Sequence, residues 1–358
     1  MLDATFQFKE LTTGNDLAVQ PDAIAPFDLE ALLGTQREGS PGLPLSIRST
    51  EARLGDENIQ GQATITTTIE FHQSPKPYVL VPGGWSPLAL SPTRHFLIDR
   101  NILSLLGQLE SGISNPRLER FSWWWTLLDQ SGVSLNPLPS AFEGGRQQAL
   151  SYEEFVKEFD SAVERLRRAV KEAEVVRLGE EGLRAAFAEV QAVQSRQSRE
   201  ADFLVAICPA TLANVVKREH RRQACEEILN ALQERGLDSF SLVSLCVMSA
   251  LYRTASGGDY PIGQKLLKPT LGYTHQDAYN ALSDLRHLEI AAIATGLFLK
   301  PPALLTEDTA LAALWTVLRP KGTITTQGCA LVLEVDPALF TGLHPRDAER
   351  LVQLLRNR

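Results

Sequence analysis

The 358-residue sequence lacks several patterns that identify common classes of protein. Its four cysteines never form a Cys-x-x-Cys pair, which disfavours a zinc ribbon and a dense disulfide framework. Its six histidines never form a His-x-x-x-His or His-Glu-x-x-His pair. No P-loop motif and no Gly-x-Ser-x-Gly elbow occurs. Zinc hydrolases, P-loop ATPases and α/β-hydrolases are therefore disfavoured.

Long apolar runs are also missing. No stretch approaches the roughly 18 apolar residues that span a membrane. The N-terminus has no basic segment followed by an apolar one, as a secretory signal has. We therefore expect a cytoplasmic protein with no membrane partner. The widely spaced cysteines fit a reducing compartment, where we expect them to be small buried residues.

The charge balance is acidic, with a formal net charge of -8. This average argues against a protein that coats nucleic acid through bulk electrostatics, but it leaves room for a local basic strip. The densest basic run is KREHRR at 217–222. It is expected either to contact a nucleic-acid backbone or to form the solvated face of a helix.

The hydrophobic pattern divides the chain into a β-rich beginning and a longer α/β part. Alternating β-branched residues in ATITTTIEFH predict a small β-rich N-terminal module over 1–88. The run HFLID at 95–99 is short, almost wholly apolar and followed by a helical pattern, which indicates a parallel strand feeding its crossover helix. We therefore predict an α/β domain over 89–358, interrupted by a helical insertion at about 150–240.

Four carboxylates lie at the ends or edges of apolar elements in this domain, and they are Asp99, Glu143, Asp284 and Asp308. Because parallel strands end at the same edge of a sheet, Asp99 and Asp308 are expected to be neighbours. Clustered carboxylates repel one another, and a bound Mg²⁺ or Mn²⁺ removes that penalty. Such a metal activates water for attack on a phosphodiester. The pattern predicts a metal-dependent hydrolase.

The motifs FLIDRNILSLL, SDLRHLEIAAIA and LLTEDTALAALW together resemble the PIN-domain nuclease family. The resemblance covers about 95–145 and 270–318. It implies a three-layer α/β domain with a mainly parallel sheet, and Mg²⁺- or Mn²⁺-dependent phosphodiester cleavage with RNA as the favoured substrate. It also implies that Asp99, Asp284 and Asp308 hold the metal, while Glu143 completes the shell or positions the attacking water.

The resemblance suggests further roles near these acids. Asn101 and Thr306 resemble polar residues that orient ligands or substrate, and Arg100 is placed to touch a phosphate; otherwise Asn101 caps its helix and Thr306 is an ordinary strand residue. A bacterial toxin or phage-defence effector is a setting that suits such a nuclease. The helical insertion or the N-terminal module is then expected to restrict access or to recruit a protein partner.

The third acid departs from the family pattern. The expected place, shortly before the Ala-rich run, holds His287, and Asp284 lies about one helical turn earlier. Asp277 and Glu289 are alternatives, although Glu289 is expected to point elsewhere on the helix. His275 and His287 are themselves expected to be polar surface residues.

Two other interpretations stay open. The first is a non-catalytic PIN-like protein used for binding or assembly. The second is a metal-dependent phosphohydrolase that acts on small phosphate esters. In addition, Asp99 and Asp308 both precede helices, and Asp is a strong N-cap residue. Each of these two acids is therefore also a candidate N-cap of the helix that follows it.

Overall fold

The fold is given by a computed structural model. It describes residues 5–9, 16–36, 42–54, 57–59, 62–71, 75–143, 151–254, 260–325 and 328–358. For a few residues within these elements, Glu143 among them, only the backbone is described.

The strands are β1 (Phe6–Lys9), β2 (Asp16–Gln20), β3 (Ala23–Ile24), β4 (Gly42–Ser49), β5 (Glu51–Leu54), β6 (Glu57–Ile59), β7 (Ala63–Glu70), β8 (Tyr78–Val81), β9 (Gly84–Pro87), β10 (His95–Ile98), β11 (Ser134–Asn136), β12 (Glu174–Val175), β13 (Ala303–Thr306), β14 (Lys321–Thr325) and β15 (Gly328–Val332). The helices are α1 (Leu29–Gly34), α2 (Arg100–Glu110), α3 (Pro116–Leu128), α4 (Leu138–Glu143), α5 (Tyr152–Ala169), α6 (Glu180–Ile207), α7 (Arg221–Glu234), α8 (Leu242–Leu251), α9 (Ile262–Leu267), α10 (His275–Leu297), α11 (Thr309–Leu318) and α12 (Pro345–Arg356).

Several helices begin at side chains that satisfy their first backbone N–H groups. A capping box joins Ser151 and Glu154 at the start of α5, and a second joins Thr274 and Asp277 at the start of α10. Asn115 caps α3, directly before a proline in the first turn. These polar side chains replace the partners that the first turn of a helix lacks, so the helix starts are set locally.

A mostly parallel sheet lies at the centre of the fold. Its strand order is β12-β11-β10-β13-β8-β9, and β12, β11, β10 and β13 run parallel. The antiparallel pair β8 and β9 completes the sheet beside β13. The expectation of a mixed α/β fold with a mainly parallel sheet is therefore confirmed, and HFLID provides its strand β10.

Helices cover both faces of this sheet. Successive strand residues point to opposite faces, so Leu97 and Leu304 belong to one apolar cluster while Ile98 and Leu305 belong to another. The first cluster includes buried residues of α8, α10 and α11, and the second includes residues of α2 and α3. A strand that is buried on both faces reads as a continuous apolar run, as HFLI does.

The N-terminal strands form two small antiparallel sheets with the orders β1-β2-β5-β6 and β3-β4-β7. Their buried residues, such as Val19 and Leu45, join the same apolar cluster as α8 and α10. Strands β8 and β9 also fall within 1–88, yet they pair with the central sheet. The segment expected to be a helical insertion contributes strand β12 to the far side of that sheet.

Three cysteines behave as expected from their spacing. Cys208, Cys225 and Cys246 are free thiols in the apolar core. Burial raises the pKa of the Cys208 thiol to about 12, so it stays protonated at neutral pH. Among the helices that the structure describes, none is both long enough and apolar enough to pass through a bilayer.

Helix α10 packs closely on the hairpin of β14 and β15 because glycines face each other. A Cβ atom on Gly296 would lie 2.4 Å from the carbonyl oxygen of Gly322. A Cβ atom on Gly322 would lie 2.4 Å from the carbonyl oxygen of Ala292. Backbone atoms cannot move aside as a flexible side chain can, so both positions require glycine.

We predict that Gly322→Ala lowers the free energy of unfolding by about 1–3 kcal/mol, because the added methyl group separates α10 from the hairpin. Urea denaturation measures the change. Gly272→Ala is the matched control, since no atom lies within 4 Å of a Cβ at that position. Equal loss in both variants would contradict the close packing.

Candidate functional site

The ends of two parallel strands bring Asp99 and Asp308 to one edge of the sheet. Asp99 directly follows β10, and its N–H donates to the carbonyl of Leu305 in β13 at 3.3 Å. The Thr306 hydroxyl donates to Oδ2 of Asp99 at 2.7 Å and accepts from the backbone N–H of Asp308 at 3.0 Å. Thr306 therefore connects the Asp99 carboxylate to the Asp308 backbone. We call this region, formed by the residues that follow β10, β11 and β13, the carboxyl edge.

His287 is the residue that α10 brings to this edge. Its Nδ1 lies 3.4 Å from Oδ1 of Asp99, and both residues are only 1% exposed. Asn101 donates to Oδ2 of Asp99 at 3.2 Å. The expectation that His287 is a surface residue is wrong, because α10 packs on α4 and β13 and turns this side chain inward. His275, by contrast, is exposed beside Asp202, as expected.

The partners of His287 determine how it is protonated. Its Nε2 lies 3.0 Å from the carbonyl oxygen of Pro139, which can only accept a hydrogen bond. Nε2 must therefore carry a proton. Its Nδ1 faces a carboxylate, which also only accepts when ionised. We infer that Nδ1 carries a proton as well, so that an imidazolium faces an ionised Asp99 at 3.4 Å as a buried ion pair.

Several effects compete at the Asp99 carboxyl group. Burial alone raises its pKa, but the contact with His287 and the hydrogen bonds from Thr306 and Asn101 bring the pKa below its usual value. A carboxyl group with a lowered pKa stabilises the fold above its unfolded-state pKa, and this stabilisation is lost as the pH falls through the folded-state pKa. Asp99 is therefore expected to favour folding at neutral pH and to stop doing so in strong acid.

Asp308 has a different local role. Its Oδ1 accepts from the backbone N–H groups of Ala310 at 2.7 Å and Leu311 at 2.9 Å. It is thus the N-cap of α11. Asp99 precedes α2 in the same way, but its side chain makes no capping hydrogen bond to that helix. Of the two acids that could each cap a helix, Asp308 does so and Asp99 instead faces His287.

The remaining candidate acids lie in different surroundings. Asp284 is half-buried in α10, one turn before His287. Asp277 is exposed in the capping box of that helix, and Glu289 pairs with Arg196 and Arg286, so Glu289 points elsewhere as expected. Glu143 ends α4, and its side chain lies outside the described part. Within the described residues, no group of three or more His, Cys, Asp or Glu side chains is placed to hold a metal ion.

The predicted substrate-binding residues also lie at the carboxyl edge. Thr306 is fully buried, which fits its role in holding Asp99. Asn101 is exposed and contacts Asp99 from the first turn of α2. Arg100 is half-buried at the start of the same helix. Thr306 and Asn101 contact the Asp99 carboxylate, and Arg100 is the next residue in the chain.

Charged residues that the sequence analysis missed lie beside them. Arg117 donates through Nε at 2.9 Å and Nη2 at 2.6 Å to Oε2 of Glu307. Lys76 is half-buried, and this burial lowers its pKa. The nearby negative charges of Glu307 and Asp308 act in the opposite direction and raise it. Lys76 reaches this edge because β8 is antiparallel, so it starts where β13 ends. The strand direction was not readable from YVLV.

The basic run at 217–222 is partly structural. Arg221 donates to the carbonyl oxygens of Val216, Arg253 and Gly342. Arg222 is exposed and pairs with Glu226 one turn later in α7. Arg221 therefore connects α7 to two segments that are distant in sequence. To contact a phosphate it would have to give up these hydrogen bonds.

We predict that Asp99→Asn lowers the free energy of unfolding at pH 7 by about 3–5 kcal/mol, because it leaves a buried imidazolium without its counter-charge. Asp277→Asn, at the exposed capping box, is expected to cost about 1 kcal/mol or less. Chemical denaturation of both variants measures the difference. Similar losses in the two variants would contradict a buried Asp99–His287 pair.

Comparisons with known proteins add no relative to this picture. No protein-family model, curated protein or solved structure matches the chain. Any functional statement therefore rests on the residues of this chain and on the geometry of the carboxyl edge.

Proposed function

We propose that the chain is a PIN-like protein that works by binding or assembly and not by metal-dependent cleavage. The observation that carries this proposal is the contact of His287 with Asp99, at 1% exposure for both residues. His287 occupies the position where the resemblance expects the third acid. A cation at that position replaces the charge that a metal ion would otherwise supply.

The strand order supports the PIN-like part of the proposal. Strands β12, β11, β10 and β13 are parallel neighbours, with the first strand of the resembling segment near the middle. The motifs FLID and LLTED provide β10 and β13, and their acids follow at the same edge. The positions of Asp99 and Asp308 after neighbouring parallel strands support a PIN-like arrangement of this edge.

Asp99 and Asp308 fit a hydrated Mg²⁺ or Mn²⁺ poorly. These ions prefer oxygen ligands, and Mg²⁺ in particular keeps several of its waters, so the carboxylates must be accessible. The Asp99 carboxylate is buried and contacted by His287, Thr306 and Asn101. Oδ1 of Asp308 already accepts two backbone hydrogen bonds.

The second candidate function is the Mg²⁺- or Mn²⁺-dependent nuclease that the resemblance implies, with RNA as the favoured substrate and a toxin or phage-defence setting. One observation favours it. Thr306 links Asp99 to Asp308 at an edge that also carries Lys76, whose positive charge suits a phosphate backbone, and the ion pair of Arg117 with Glu307. A phosphohydrolase acting on small phosphate esters would use the same acids.

A cleavage assay separates these functions. The purified chain is incubated with mixed RNA and single-stranded DNA in the presence of Mn²⁺, in parallel with Asp308→Asn, and with a chromogenic phosphomonoester. We expect no metal-dependent cleavage of any substrate. Cleavage of RNA or DNA by the unmodified chain that is lost in Asp308→Asn would establish the nuclease, and release of the chromogen would establish the phosphohydrolase.

A substitution at His287 tests directly whether the charge of this residue takes the place of a metal ion. We predict that His287→Asp is destabilised without metal, because two buried carboxylates then repel each other, and that Mn²⁺ raises its Tm by several degrees. The unmodified chain and the exposed control His275→Asp should show no such rise. A Mn²⁺-dependent rise in the unmodified chain that disappears in Asp99→Asn would overturn the proposal.

A further inference from the structure

A cavity of about 470 Å³ is lined by residues of α6, α10 and β15, by Phe142 of α4 and by the segment that joins α7 to α8. Part of its lining is apolar and includes Phe142, Phe240, Ile290 and Ile293. Another part carries charged side chains from α6 and α10. A concave site with an apolar wall and a few convergent polar groups has the usual character of a small-molecule site.

Two arginines in this lining share one carboxylate. Nη2 of Arg196 donates to both oxygens of Glu289 at 2.7 Å, and Nη1 of Arg286 also donates to Glu289. Both guanidinium groups are held by the same acid, so the three residues together carry one net positive charge. Because Arg286 and Glu289 are largely buried while Arg196 is partly exposed, that charge is costly unless solvent or another group balances it.

Glu200 is the second buried acidic residue beside these arginines. It lies on α6 one turn after Arg196, lines the cavity and is only 5% exposed. Its Oε1 lies 3.4 Å from Nε of Arg196, but that Nε has no hydrogen-bond acceptor among the described residues. Burial raises the pKa of Glu200 to about 7, although the nearby Arg196 opposes this shift. Glu200 is therefore expected to change its protonation state near neutral pH.

Other charged groups line the same cavity. Arg199 in α6 donates to the carbonyl oxygens of Arg235 and Gly236 at 3.1 Å each. Glu189 and Asp238 are exposed, so they lie on the solvent side of the lining. An ionised Glu200 balances the remaining positive charge through its contact with Arg196. When Glu200 is protonated, its carboxyl group becomes a donor in the cavity lining, beside a positive charge that it no longer balances.

We propose that this cavity binds a small molecule with a carboxylate at one end and an apolar body, and that the carboxylate lies beside Glu200 and the cluster of Arg196, Arg286 and Glu289. In this arrangement a neutral Glu200 donates a hydrogen bond to the ligand carboxylate. The apolar body then packs against the aromatic and aliphatic wall. The anion balances the positive charge of Arg196, Arg286 and Glu289. A cationic ligand would instead require an ionised Glu200 and would leave the cluster positive, so the charge count favours an acid.

Three probes with the same apolar body test the charge preference. The full-length chain is titrated with 4-phenylbutyrate, 4-phenylbutyramide and 4-phenylbutylamine, and binding is followed by NMR. We expect 4-phenylbutyrate to bind most tightly. Its Kd should rise about tenfold for each pH unit above 7, because one proton must be taken up with the ligand. Tighter binding of the amine, or no binding of the acid at any pH, would overturn the proposal.

Glu200→Gln separates this role from a merely structural one. The amide keeps a donor in the place of the protonated acid, so the variant should bind 4-phenylbutyrate with a Kd that no longer depends on pH. The control Glu189→Gln, on the solvent side, should keep the pH dependence of the unmodified chain. Persistent pH dependence in Glu200→Gln would contradict the assignment. The probe titration of the unmodified chain decides the matter if Glu200→Gln does not fold.

Discussion

The contact between Asp99 and His287 holds the carboxyl edge of the sheet together. Asp99 follows β10, and the Pro139 carbonyl that accepts from His287 follows β11. Thr306 adds the end of β13, while His287 itself comes from α10. Four segments that are distant in sequence therefore meet through one carboxylate and one imidazole. A buried ion pair of this kind is costly to break, since removing one partner leaves the other charge without compensation.

The positions of the main elements were predictable because their patterns are local. HFLI is apolar throughout because both of its faces are covered, and the long helix α10 starts at a capping box that is visible in the sequence. The same parallel geometry made it predictable that Asp99 and Asp308 share an edge. The pairing of β12, β14 and β15 could not be predicted from the sequence in the same way, because the partners of short strands depend on tertiary packing.

The chemistry of the edge was harder to read than its position. An Asp before a helix has the same local pattern whether it caps that helix, as Asp308 does, or faces another element, as Asp99 does. The inward direction of His287 depends on how α10 packs against α4, which is a long-range contact. The one signal available was that His287 stands where the family expects an acid. An imidazolium at that place changes the interpretation of every neighbouring carboxylate.

The protonation state of His287 is the most direct test of this account. Long-range ¹H–¹⁵N correlation spectra of the folded protein at pH 7 report whether each ring nitrogen carries a proton, and loss of the signals in His287→Gln assigns them. The account predicts protons on both Nδ1 and Nε2. A neutral ring at His287 with an unprotonated Nδ1 would contradict the buried ion pair and would reopen the carboxyl edge as a metal site.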